Sequence, residues 1–207
     1  MIPVKVLAVR YLANADPALA RNLGAPEGWH SLGLLTTDCD DATYIALDAA
    51  TKAAQVEAIY GRSFYAGAAN ASTPLAGEVL GILAGRTPGA VRSGMEAAVA
   101  ALERLGFEQT KGVPYLAQTV ASVGSFLAAE AGVAPGSALA YLIAPPLEAM
   151  YGLDGAMKAA DVKLCKLYAP PSETNFGGGL LTGTQSACAA ACAAFADAVA
   201  DVAGRPK

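Results

Sequence analysis

The chain has 207 residues, room for two domains of about 100 residues each, and is 54% hydrophobic but only 15% charged. Its net charge is −4, its pI is about 5.0, and Lys and Arg form no cluster, which excludes the basic footprint that nucleic-acid binding needs. No run reaches the roughly 18 uninterrupted apolar residues of a membrane helix, and the opening residues lack the basic region, apolar stretch and cleavage site of a signal peptide, so a cytoplasmic chain is expected.

In chain order, the apolar, β-branched residues 4–12 predict a strand. Asn14-Ala-Asp16 before Pro17 is a helix-start signal, and that helix should stop at Gly24. Residues 31–37 predict a second strand, running into the acidic corner Asp38-Cys-Asp-Asp41. Asp48 is read as the cap of a short helix through Ala54, followed by a strand at 56–60. A loop of small residues spans 61–74, and 77–84 is another strand. Thr87-Pro-Gly opens a long amphipathic helix over about 90–105. The order then recurs: strand 114–120, helix 124–131, strand 137–144, helix 154–160, strand 162–168, loop 170–179, strand 180–182 and a closing helix from Gln185 to about Ala203.

The recurrence is visible in the letters. Leu47-Asp-Ala-Ala-Thr-Lys-Ala-Ala-Gln-Val56 returns 106 residues later as Leu153-Asp-Gly-Ala-Met-Lys-Ala-Ala-Asp-Val162, with seven of ten positions identical and no gap. A period near half the chain means two similar domains in tandem, here expected at 1–108 and 109–207. Each is read as an α/β (α+β) unit of about four strands. Low charge in a doubled unit points to a subunit that buries much of its surface against copies of itself.

The four cysteines are Cys39, Cys165, Cys188 and Cys192. The helical Cys-x3-Cys spacing of the last two lacks the loop spacing of a structural zinc site, and His30 supplies no evident third ligand. They read as buried small side chains. Gly177-Gly-Gly179 is not followed by the Gly-Lys-Ser/Thr of a phosphate-binding loop, and no cofactor or metal is expected.

The repeated element resembles the signature of bacterial microcompartment shell proteins, an Asp-x-x-x-Lys-Ala-Ala-x-Val segment followed by a Gly-x-x-x-Gly-Ala-Val-Arg-type turn. The first copy is Asp48-Ala-Ala-Thr-Lys-Ala-Ala-Gln-Val56 with Gly85-Arg-Thr-Pro-Gly-Ala-Val-Arg92. The second is Asp154-Gly-Ala-Met-Lys-Ala-Ala-Asp-Val162 with Leu181-Thr-Gly-Thr-Gln-Ser-Ala-Cys188. Each copy begins with a strand that single-domain members carry elsewhere, so the pair resembles the tandem, circularly permuted trimers of the ethanolamine-utilisation L type. Ser31-Leu-Gly-Leu, Asp40-Asp41, Tyr60-Gly-Arg-Ser-Phe-Tyr-Ala-Gly-Ala-Ala69, Ala76-Gly-Glu-Val79, Ala144-Pro-Pro-Leu-Glu-Ala149 and Pro171-Ser-Glu-Thr-Asn175 carry this closer match.

The resemblance implies two BMC domains, each a roughly four-stranded, mainly antiparallel sheet flanked by helices. It further implies a homotrimeric, pseudohexameric tile that packs beside other shell proteins. The two long loops, with Phe64, Ala68 and Asn70 in one and Asn175, Phe176, Gly177 and Gly178 in the other, would gate a central pore. Lys52 and Lys158 would lie at the tile edge; otherwise they are solvated surface lysines. Asp40 and Glu78 would bind the ammonium of ethanolamine by charge-assisted hydrogen bonds, with Tyr65, Phe107 and Thr174 lining the site and bound ligand favouring the closed pore. Alternatively, Asp40 caps a turn and Glu78 starts a strand. A small amine-binding regulator, or an enzyme using the two carboxylates as acid and base, are the competing functions. No nucleophile–base constellation accompanies the acids, and no enzyme is expected.

Overall fold

Residues 1–64, 79–170 and 175–207 of the computed structural model are described. Their elements in chain order are β1 (Ile2–Pro3), β2 (Val6–Leu12), α1 (Pro17–Asn22), β3 (Ser31–Thr37), α2 (Asp40–Ala53), β4 (Val56–Ser63), β5 (Val79–Gly85), α3 (Pro88–Leu102), β6 (Gly106–Thr110), β7 (Val113–Val120), α4 (Ser125–Ala131), β8 (Ala138–Ala144), α5 (Pro146–Ala159), β9 (Val162–Tyr168), β10 (Gly177–Gly183) and α6 (Gln185–Gly204). Two compact units result. One comprises residues 3–105 with 124–127, the other 1–2, 106–123 and 128–207. The sequence places the boundary between the two repeats at 108/109.

The first unit holds a four-stranded sheet in the order β2-β3-β5-β4, with every pairing antiparallel. Strand alternation sends Leu32 and Leu34 to one face, against Ala15, Ile82, Ala84 and Trp29. The other face carries α2 and α3, and glycines let the helices approach. A Cβ on Gly33 would lie 2.7 Å from the Met95 side chain, and one on Gly81 would lie 2.9 Å from Leu47.

The second unit repeats that order as β7-β8-β10-β9, extended by β6 and β1 into a six-stranded sheet. Its helix-facing core is built from small residues: Ala140, Ala144, Ala149, Ala156, Cys188 and Ala191 surround Leu142, Leu153, Leu181 and Phe195. Cys188 and Cys192 are buried here, as read from the sequence. Burial pushes both thiols above the ordinary range, partly offset at Cys192 by a hydrogen bond from Thr119. By length and composition α6 alone among the described helices could cross a membrane, a feature hidden from a search for uninterrupted apolar runs by Asp197 and Asp201. It packs on α5, β7 and β8 with Cys188, Ala191, Cys192, Phe195 and Val199 buried, the arrangement of a core helix.

Four readings need correction. The helices expected to start at Asp48 and Asp154 begin eight residues earlier, at Asp40 and Pro146. An Asp-x-x-x-Lys spacing is also an i,i+4 ion pair within a helix, and both copies form that pair here. The true starts carry Asp40 and Asp41, favourable at the positive end of the helix dipole, and a first-turn proline. The segment at the expected domain boundary, assigned no element from the sequence, contains β6, which pairs with β7 through a two-residue turn at Lys111 (φ 48°) and Gly112 (φ 86°), the left-handed pair a tight hairpin needs. Finally, Gly177 and Gly178, read as loop, open β10 and face Ala144 and Ile143 of β8. Gly178 has φ 155°, and a Cβ there would lie 1.9 Å from the Leu142 carbonyl oxygen, so no other residue fits.

Candidate functional site

Asp40 stands in the first turn of α2, where the chain leaves β3. Thr37 Oγ1 accepts from the Cys39 amide (3.1 Å) and lies 2.7 Å from Thr43 Oγ1, whose hydroxyl also meets the Cys39 carbonyl at 2.8 Å. This buried hydroxyl pair shapes the turn in place of a side-chain cap from Cys39. Asp40 Oδ1 accepts from the Asp41 amide at 2.8 Å, and Oδ2 accepts from Ser63 Oγ at 2.5 Å. Both aspartates are buried. Ser63, the last residue of β4, holds the Asp40 carboxylate in one orientation, and no motif at that sequence separation marks it.

Glu78, Tyr65, Thr174, Ala68 and Asn70 lie outside the described residues. Phe64 ends the described part of its segment and is exposed. Phe107, on β6 of the second unit, meets Phe176 edge-on, with ring centroids 5.8 Å apart and planes at 74°, a favourable aromatic geometry. A residue proposed for the ligand site thus touches one proposed for a pore loop. The neighbouring Asn175 has φ 62°, a left-handed conformation that asparagine tolerates better than most residues.

The two matched lysines sit in different surroundings. Lys52 Nζ is 3.2 Å from Asp48 Oδ2, and the Asp48 side chain is fully buried. Asp48 also accepts the backbone amides of Gly124 (2.8 Å, at Oδ2) and Leu127 (2.9 Å, at Oδ1), while Thr51 Oγ1 accepts that of Ser125 (3.2 Å). Asp48 therefore caps the start of α4, where Gly124 offers no side chain to do so. Lys158 pairs with Asp154 at 2.7 Å with both side chains largely exposed. The sequence reading missed this capping role; its only signal was the difference between Thr51-Lys52 and Met157-Lys158.

Two antiparallel units with one strand order, each carrying an Asp-Lys helix, define a doubled shell-domain protein. The BMC domain family matches residues 31–114. That match starts at β3 and leaves ahead of it β2, the strand that pairs with β3 at the sheet edge. The chain is 55% identical to the bacterial microcompartment shell protein EutL of Clostridium perfringens, over all of this chain and 97% of that protein. It is 50% identical to EutL of Salmonella typhimurium, over all of this chain and 96% of that one. The crystal structure of the ethanolamine utilization protein EutL from Leptotrichia buccalis superposes with a TM-score of 0.95 at 56% identity, covering 99% of this chain and 96% of that chain. The chain belongs to the EutL family of bacterial microcompartment shell proteins, which serve ethanolamine utilisation.

Proposed function

We propose that the protein is a homotrimeric, pseudohexameric wall tile of the ethanolamine-utilisation compartment in the bacterial cytoplasm, with a gated central pore and an ethanolamine site that biases the pore closed. The observation that carries the tile is the double use of one strand order. Six similar units around an axis need only three chains of two, and the two halves are then free to differ. In this reading the differences between the halves serve the pore and the ligand site. Asp40-Asp41 is replaced by Pro146-Leu147, and the β4–β5 connection spans 64–78 whereas the β9–β10 connection spans 169–176. A protein of the same fold, PduB, is described as a trimeric shell protein.

Asp40 and Glu78 would supply the charge-assisted bonds to the ammonium group. The orientation of Asp40 by Ser63 supports this role, because bonds from Ser63 Oγ and the Asp41 amide hold both carboxylate oxygens in place. Tyr65, Phe107 and Thr174 would line the site. Loop residues Phe64, Ala68, Asn70, Asn175 and Phe176, with Gly177 and Gly178 at the mouth of β10, would surround the pore. Lys52 and Lys158 would face neighbouring tiles. In this reading the protein is a wall and not an enzyme.

Mass photometry should give a trimer, and negative-stain microscopy of concentrated protein should show flat sheets. Calorimetry should show ethanolamine binding that is lost in Asp40→Asn/Glu78→Gln. Binding undiminished in that variant removes the ligand site, and turnover of ethanolamine would restore the enzyme reading. An open-pore structure at saturating ethanolamine would contradict the closing role.

A further inference from the structure

The internal repeat supplies a template for how one copy meets the next. In the first unit, residues 124–127 cover one face of α2: Asp48 and Thr51 accept their amides, and the Phe126 ring lies 6.1 Å from that of Tyr44. Phe126 also lies over Gly61 of β4, where an added Cβ would come within 2.9 Å of its ring.

The matching face of α5 is open. With α2 and α5 offset by 106 residues, Tyr44, Ile45 and Thr51 correspond to Met150, Tyr151 and Met157. Ladder register equates Gly61 with Leu167, since they face Gly81 and Gly179, which in turn face Leu35 and Leu142. Met150, Tyr151, Met157 and Leu167 are all exposed, Tyr151 by 52% and Leu167 by 49%.

The element matching α4 is α1. The bond from Ala25 N to Ala20 O recurs as Val133 N to Ala128 O, which sets Ala18 against Phe126 and Leu19 against Leu127. Leu127 is fully buried, whereas Leu19 is 47% exposed. We infer that the α1 turn of one copy, Pro17 to Leu19, seats on the α5–β9 face of the next, repeating between chains the contact that residues 124–127 make with α2.

Size and polarity both support this. The large Phe126 over Gly61 becomes the small Ala18 opposite Leu167, so bulk passes from one side of the seam to the other and the space stays filled. Ser125, whose amide bonds Thr51, becomes Pro17, which has no amide hydrogen, opposite Met157, which has no acceptor. Leu19 N is already bonded by its own Asp16 (3.3 Å), so the Asp48 function is supplied within α1, and Asp154 instead pairs with Lys158. No backbone amide of Pro17 to Leu19 is stranded when this seam closes. An exposed knob and an exposed seat on one chain form a head-to-tail contact, which generates a ring when the rotation closes.

The inference rests on the trimer proposed above. It is tested by oxidising the full-length Ala18→Cys/Met150→Cys variant and comparing it with each single variant on non-reducing gels, and by mass photometry of Leu19→Asp. A covalent ladder ending at the trimer, formed only by the double variant, and a folded, monomeric Leu19→Asp chain with unchanged circular dichroism are expected. A wild-type trimer that gives no such ladder, or that persists in Leu19→Asp, overturns the seam and leaves the trimer standing. A ladder extending beyond three chains places this face between tiles and also overturns it. A monomeric wild-type chain removes both readings.

Discussion

Replacing Asp48 tests how the repeat's conserved-looking Asp-Lys pair is used. The side chain is fully buried and accepts two backbone amides, those of Gly124 and Leu127, in addition to meeting Lys52. Hydrogen bonds to a charged group contribute roughly 1.5–3 kcal/mol each, and stranding their donors costs a comparable amount. The Lys52 ammonium is partly exposed, and such a pair contributes at most about 1 kcal/mol. Asp48→Ala should therefore destabilise the fold by about 3–5 kcal/mol, Asp48→Asn by roughly half that because one acceptor survives, and Lys52→Ala by less than about 1 kcal/mol. Urea unfolding at one fixed chain concentration gives the comparison, since assembly makes stability concentration-dependent. Hydrogen exchange gives a local readout: loss of about 3 kcal/mol should speed exchange at the 124 and 127 amides by about 100-fold. If Asp48→Ala costs under about 1 kcal/mol, or Lys52→Ala costs as much as Asp48→Ala, the capping account is wrong.

Three further outcomes follow from the same contacts. Lys52→Ala with Lys158→Ala should leave trimers intact but weaken sheets seen by negative stain; unchanged sheets would sink the edge assignment. Ser63→Ala removes one hydrogen bond to the Asp40 carboxylate, worth roughly 1.5–3 kcal/mol, so ethanolamine affinity measured by calorimetry should fall at least about tenfold, and unaltered affinity would detach Ser63 from the site. At pH 8 a thiol reagent should modify Cys188 and Cys192 only after unfolding, because burial both shields them and raises their pKa; mass spectrometry showing both labelled in the native protein would contradict the core packing.

How much of this was legible in the letters varied by element. The central strands β3 and β8 declared themselves as apolar, β-rich runs, and α6 as a long alanine-rich helix. The starts of α2 and α5 did not, because an aspartate four residues before a lysine serves equally as a cap signal or as a mid-helix ion pair. β6 was hidden because its charged and polar residues, Glu108-Gln-Thr110, resemble a linker; the positive-φ turn at Lys111-Gly112 that makes it a hairpin is a backbone property. Of the ligand-site proposal, Asp40 and Phe107 could be placed and Ser63 was added, while Glu78, Tyr65 and Thr174 lie outside the described residues.

The sequence by itself determined the duplication, the family and the matched Asp-Lys pairs, since each is a pattern of identities at fixed spacing and local periodicity suffices to read it. Tertiary structure alone decided what the copies do differently. Asp48 and Asp154 occupy the same place in the repeat, yet one is buried against two backbone amides and the other faces solvent. Only folding brings residue 124 against residue 48, and a carboxylate's role follows from which donors surround it rather than from the letters beside it.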